Sequence, residues 1–140
     1  MNATSKTIYA IIALIELARQ KNELLKGATI AKKYGIPRRF LELTLSELKI
    51  HGLVDSKKGA HGGFLLVKQP EEISLYEIIN ITERDLVIFD CRKFINKDGC
   101  DMLRIFDELN EEILSILKKV TLRDILNKAD KIYKNLNFII

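Results

Sequence analysis

One stretch constrains this chain more than any other: Ala28 to Val67, ATIAKKYGIPRRFLELTLSELKIHGLVDSKKGAHGGFLLV. Its glycines and its proline stand where only short elements fit between them. The first is a helix over about Ile30 to Tyr34, with Thr29 as N-cap because its hydroxyl can accept a bond from an unpaired helix amide. Gly35 supplies the left-handed residue that stops it. Pro37 suits the first turn of a second helix, where a missing amide hydrogen costs nothing. Leu41, Leu45 and Leu48 make an apolar stripe on that helix at i, i+4, i+7. Arg38, Arg39, Glu42, Ser46 and Lys49 occupy its other face. Two short helices joined by a glycine turn, the second polar and basic near its start, form a helix-turn-helix whose second helix would lie in a DNA major groove. The bland alternative is an ordinary helical hairpin.

The residues after the second helix argue against the hairpin. Gly52 ends that helix, and Leu53–Ser56 and Phe64–Val67 read as strands. Between them Lys57-Lys58-Gly59-Ala60-His61-Gly62-Gly63 puts three glycines in five residues beside two lysines. Such a turn can bring its backbone close to a phosphate. Placed directly after a recognition-type helix, it is the wing of a winged helix. A solvated Lys-Gly turn is the alternative.

The 140 residues suffice for one cored domain with an appendage. No apolar run is long enough for a membrane span. No signal peptide is read at the N-terminus, so a cytoplasmic protein is expected. Two cysteines are no disulfide framework. Residues 1–68 carry 12 lysines and arginines against 5 acids, a balance of +7; residues 69–140 carry 11 against 14, a balance of −3. A basic half joined to an acidic half suggests a polyanion-binding module and a regulatory or oligomerising one.

Before the helix-turn-helix, residues 5–19 form a helix with Ile8, Ile11, Ile12, Ile15 and Ala18 on one face. Ala10, Ala13, Leu14 and Leu17 leave little polar surface elsewhere, so most sides should be buried. Lys21–Lys26 is a connection. After the wing, Gln69–Glu72 breaks the chain. Ser74-Leu75-Tyr76-Glu77 is a capping box opening a short helix that ends near Ile81. Residues 84–99 lose periodicity. From Met102 a seam begins: Met102, Phe106, Leu109, Ile113, Ile116 and Val120 alternate in steps of four and three, as in a coiled coil. Leu103, Leu114 and Leu117 add a second stripe. One stripe would meet an identical helix across a two-fold axis; the alternative is a helix buried within one subunit. Thr121 and Asp124 cap a last helix, with Leu122, Ile125, Leu126, Ala129, Ile132 and Tyr133 inward.

In this order the elements resemble the Rrf2 family of bacterial winged-helix regulators over nearly the whole chain. Thr7-Ile8-Tyr9-Ala10 is similar to the family's "xxYAL" start, and Ile36–Glu42 to its "IxxxYLE" recognition helix. Gly52-Leu53-Val54 and Gly59–Phe64 resemble "GLV" and the glycine-rich wing. Glu72-Ile73-Ser74-Leu75 and Val120-Thr121-Leu122 resemble "EITL" and "ITL". The resemblance implies a transcription regulator. Cluster-binding members place three cysteines before the long helix. Cys91 matches the first and Cys100 the last; the middle one is missing. Leu103 stands where some members have a histidine ligand, and Ile8 where others have an aspartate.

Three readings of Cys91 and Cys100 stay open. They are ligands of an iron–sulfur cluster completed from elsewhere, with [2Fe–2S] ahead of [4Fe–4S]; or a redox pair; or inert thiols. With no CxxC and no nearby histidine, they make a poor zinc site. Glu42 can accept from a cytosine amino group or pair with Arg38 or Arg39. His61 is a phosphate contact or a plain turn residue, and His51 faces a helix dipole. Absence of a nucleophile–base pair argues against an enzyme.

The expected organisation is mostly α with a small β-wing. Residues 1–83 form a winged helix-turn-helix domain (helix-turn-helix 28–52, wing 53–67), 84–100 a cysteine-bearing sensor loop, and 101–140 a dimerisation helix and a C-terminal helix. The DNA contacts expected are Thr29, Arg38, Arg39, Glu42, Lys49, Lys57, Lys58, His61, Gly62 and Gly63. The expected partners are double-stranded DNA with a palindromic operator and a second copy of the chain, with no membrane. The expected function is a repressor sensing iron–sulfur or redox status, or else a cluster-free regulator controlled by a small effector or a partner protein.

Overall fold

The computed structural model describes residues 3–95 and 101–139, with side chains up to Leu136. Six helices and one hairpin follow in order: α1 (Ser5–Arg19), α2 (Gly27–Tyr34), α3 (Arg38–Ile50), β1 (Val54–Lys57), β2 (Gly63–Leu66), α4 (Leu75–Thr82), α5 (Asp101–Lys119) and α6 (Leu122–Ile139). Short 3-10 turns at Pro70–Glu72 and Cys91–Lys93 interrupt the connections. No helix among the described residues is long and apolar enough to cross a membrane.

The core lies where α1 crosses α2, α3 and α4. Leu14, Leu17, Ile30, Leu41, Leu45, Leu48, Leu53, Ile73, Ile78 and Leu122 are among its fully buried side chains. The α1 boundaries are those that its periodicity predicts, but the buried face differs. Thr7, Ala10, Ala13, Leu14 and Leu17 point inward, whereas Ile8 is 51% exposed and Ile11, Ile12 and Ile15 are only half-buried. The reason is steric: the alanines let neighbouring helices approach closely, and the isoleucines are left on the flank.

Helix α2 begins three residues earlier than expected. Lys26 is its N-cap, without a side-chain cap bond, and Thr29 sits inside the first turn. Glycine is a poor helix former, which hid this start. Gly27 is tolerated because Glu42 packs on it: a Cβ there would lie 3.1 Å from Glu42 Cγ. Gly35 does close the helix, at φ 66°, and the Ile36 amide reaches back to Ala31 O at 2.9 Å. Pro37 stands one residue before α3, as its N-cap, and its carbonyl accepts from the Leu41 amide at 3.1 Å.

The hairpin pairs Val54 with Leu66, Asp55 with Leu65, Ser56 with Phe64 and Lys57 with Gly63. Leu25, within the stretch read as a connection, bridges the other side of β2 by exchanging both backbone bonds with Phe64, at 2.9 and 2.8 Å. Ser74 caps α4 by accepting from the Glu77 amide at 3.0 Å. The capping box is only half made, since the Glu77 carboxylate turns to Lys68 Nζ at 2.9 Å. The box at the start of α6 is complete: the Thr121 amide donates to Asp124 Oδ2 and the Asp124 amide to Thr121 Oγ1. In α6, Leu122 and Leu126 are buried, but Ile132 and Tyr133 point outward, 61% and 42% exposed.

Candidate nucleic-acid interface

The outer surface of α3 and the turn of the hairpin each carry exposed cations. Arg38 and Arg39 open α3 and are exposed, as are Lys57, Lys58 and His61. Two predicted contacts are engaged inside the protein. Glu42 accepts from Arg38 Nε at 2.9 Å, one helical turn back. Lys49 bends across to β1, donating to Ser56 Oγ at 2.7 Å with Asp55 at 3.9 Å. His51 reaches the Glu47 carbonyl at the end of α3, at 2.9 Å, as its place near a helix C-terminus suggests. Thr29 is exposed on α2 but caps nothing.

The wing glycines serve the backbone. A Cβ on Gly62 would lie 2.1 Å from the Lys57 carbonyl oxygen, and one on Gly63, at φ 153°, would lie 2.8 Å from Leu25 C and O. The turn therefore folds onto its own strand and against Leu25. This holds Lys57 and Lys58 at the tip.

A polar cluster missed in the sequence joins α1, α2 and α6. Glu16, in the apolar face of α1, is 5% exposed. It accepts from the Tyr34 hydroxyl by a short hydrogen bond, from Lys33 Nζ at 2.9 Å and from Arg19 at 3.4 Å. Arg19 also holds Asp130 of α6 at 3.1 Å and stacks over Tyr133 at 4.7 Å. Burial alone would raise the Glu16 pKa, but these donors and charges outweigh it and hold the carboxyl below its ordinary value. Tyr34 is pushed well above the ordinary tyrosine value by burial and by the carboxylate that accepts its hydrogen bond. The cluster ties α2 of the helix-turn-helix to α6.

Residues 84–95, the described part of the segment before α5, are better anchored than their lack of periodicity suggests. Arg92 makes a two-pronged pair with Asp107, both bonds 3.0 Å. Phe89 packs on Phe106 with ring centroids 5.7 Å apart. Cys91 is a free, buried cysteine, 8% exposed, beside an apolar cavity of about 250 Å³ lined by Ile88, Phe89, Phe94, Ile95 and Phe106. Cys100 lies outside the described residues. Along α5, Leu103 is buried, Leu114 and Leu117 are half-buried, and the predicted seam is left uncovered: Met102, Leu109 and Ile116 are exposed, and Phe106, Ile113 and Val120 half-buried.

Known proteins share this arrangement. The chain is 32% identical to the HTH-type transcriptional regulator NsrR of Bacillus licheniformis, over 98% of its own length and 100% of that protein. It is 31% identical to the HTH-type transcriptional regulator IscR of Serratia proteamaculans, over 93% of its length and 82% of that protein. Its fold is similar to that of CymR, the global cysteine regulator of B. subtilis. The TM-score there is 0.79 at 25% identity, covering 91% of this chain and 98% of that one. Residues 3–128 match the family described as Rrf2, iron-dependent transcriptional regulator. With a winged helix-turn-helix, exposed cations on α3 and the wing, and relatives of nearly equal length, this chain belongs to the Rrf2 family of transcriptional regulators.

Proposed function

We propose that this chain acts in the cytoplasm as a homodimeric repressor. It grips a palindromic operator with α3 and the wing of each subunit, and the state of Cys91 and Cys100 sets the grip. The observation that carries this reading is where the loop is anchored. The bonds from Phe89 and Arg92, and the ring of Phe89, all go to α5. That helix also presents the uncovered seam, so a change in the loop bears directly on the face that would meet a second copy. Two-fold symmetry suits this geometry, because one recognition helix and one wing reach only one half-site.

Iron enters through the family description, and the donor set tests it. Cluster irons are held mostly by several thiolates. Among the described residues no group of three His, Cys, Asp or Glu side chains could hold a metal. Cys91 has Asp90 beside it, but that carboxylate pairs with Lys93 at 3.4 Å. The described residues of one chain do not fit a cluster. A cluster on Cys91 would take its other ligands from Cys100 and from a second copy, whereas thiol chemistry needs only the two cysteines. A buried cysteine reacts slowly, so the loop has to open before Cys91 can respond.

The test is Cys91→Ser and Cys100→Ser, made separately, purified without oxygen and titrated with operator DNA beside the wild type. A coupled loop should change affinity by roughly 5- to 150-fold. If both variants match the wild type in iron content, redox response and DNA affinity, the cysteines are inert. A regulator controlled by an effector or a partner protein then replaces this reading.

A further inference from the structure

The side of α3 that faces away from the core is not wholly polar. At about 100° per residue, the line Arg39, Leu43, Ser46, Ile50 runs about 180° around the helix from Leu41, Leu45 and Leu48. Leu43 is 55% exposed and Phe40 56%; Phe40 lies on the flank toward α1, and Leu43 borders the same groove beside Ser5, Lys6 and Tyr9. The polar neighbours of Leu43 are turned to other tasks. Glu42 is half-buried, bonded by Arg38 and seated over Gly27. The Ser46 hydroxyl donates to the Glu42 carbonyl at 2.9 Å, and Lys49 is bonded to Ser56. Along the outermost line, the first two turns therefore offer the guanidinium of Arg39 and the branched methyls of Leu43.

A single exposed leucine is ordinary on a protein surface. Its position here is not. Leu43 is the sixth residue of the helix that a helix-turn-helix inserts in the major groove, where the N-terminal residues reach base edges. The one apolar group that base pairs present there is the C5-methyl of thymine. We propose that Leu43 reads a thymine 5-methyl in each half-site. Base preference then rests on Leu43 with Arg39, and Glu42 is a positioning residue that orients Arg38 and closes α3 onto α2. This inference rests on the DNA-binding reading above.

The test removes one methyl at a time. Preferred sites are selected from randomised duplexes with the full-length protein. Each thymine of the selected site is then replaced by deoxyuridine, which lacks only the 5-methyl. The expected result is one thymine per half-site whose replacement weakens wild-type binding about fourfold, the effect of one buried methyl-sized group. Leu43→Ala, at an exposed site, should keep the wild-type melting temperature, bind more weakly and become indifferent to that replacement. Phe40→Ala should stay sensitive to it. A wild type indifferent to every replacement overturns the inference, as does methyl sensitivity that survives in Leu43→Ala or vanishes in Phe40→Ala. Failure to bind any duplex would overturn the DNA-binding reading itself, whereas sequence-selective binding that ignores thymine methyls overturns only the role of Leu43.

Discussion

The Asn110 side chain closes both of its amide hydrogen bonds on the backbone of a single residue, Phe89. Its Oδ1 accepts from the Phe89 amide and its Nδ2 donates to the Phe89 carbonyl, each at 2.9 Å. A side chain of α5 thus takes the place of a β-ladder partner for the loop ahead of Cys91. Asn110→Ala removes both bonds, each worth about 0.5–1.5 kcal/mol net. The loop should open more often, and thiol labelling of Cys91 under native conditions should speed up by roughly tenfold, with global stability reduced by no more than about 3 kcal/mol. Equal labelling rates in the two proteins would show that Asn110 does not hold the loop closed.

Glu16 sets an acid limb in the stability of the fold. Its folded-state pKa lies below the ordinary value of 4.5. The unfolded chain therefore binds its proton more tightly, and the stabilisation is fully present above about pH 4.5 and lost as pH falls through the folded value. Glu16→Gln should cost about 1–3 kcal/mol at pH 7, because Tyr34 and Lys33 lose a charged acceptor. Urea titrations between pH 7 and pH 3 should show the gap to wild type narrowing on the acid side. A constant gap would assign the loss to packing rather than to charge.

Gly62→Ala should damage the wing without touching a charge. The added Cβ would meet the Lys57 carbonyl oxygen at 2.1 Å, so the backbone has to shift, at about 1–3 kcal/mol. DNA affinity should fall with stability. Lys58→Ala should leave the melting temperature unchanged, weaken binding to all sequences alike and lower the slope of log affinity against log salt by about 0.9. An unchanged slope would take Lys58 off the phosphates.

Leu109→Glu combined with Ile113→Glu places charges on the uncovered stripe of α5. If that stripe meets its symmetry mate, like charges face each other without partners. The variant should run as a folded monomer in light scattering, with operator affinity sharply reduced. A variant that stays dimeric would move the interface to another face.

Neighbouring residues by themselves determined much of this protein. The α1 span, the glycine stop at Gly35, the Leu41–Leu45–Leu48 stripe and the Thr121–Asp124 cap come from bonds and spacings within one or two helical turns. The exposure of Arg38, Arg39, Lys57 and Lys58 was legible too, since charges on a glycine-rich turn and on the start of a helix have few places to go but outward. Periodicity reports that a helix has an apolar face; it does not report which neighbour covers it or what crosses it. That is why Ile8 looked buried and is exposed, and why Glu16 passed unnoticed within α1. Two partners of Glu16, Lys33 and Tyr34, come from α2, and the third, Arg19, is itself held by Asp130, 111 residues away. The same limit applies to two short motifs that read as separate. Ile73-Ser74-Leu75 and Val120-Thr121-Leu122 lie side by side, with the Leu75 amide on the Val120 carbonyl and the Leu122 amide on the Ile73 carbonyl, both 2.8 Å. The sequence determined that each starts a helix. Only tertiary packing decided that they bond to each other, because the backbone groups at these helix starts, buried together, needed partners that their own helices could not supply.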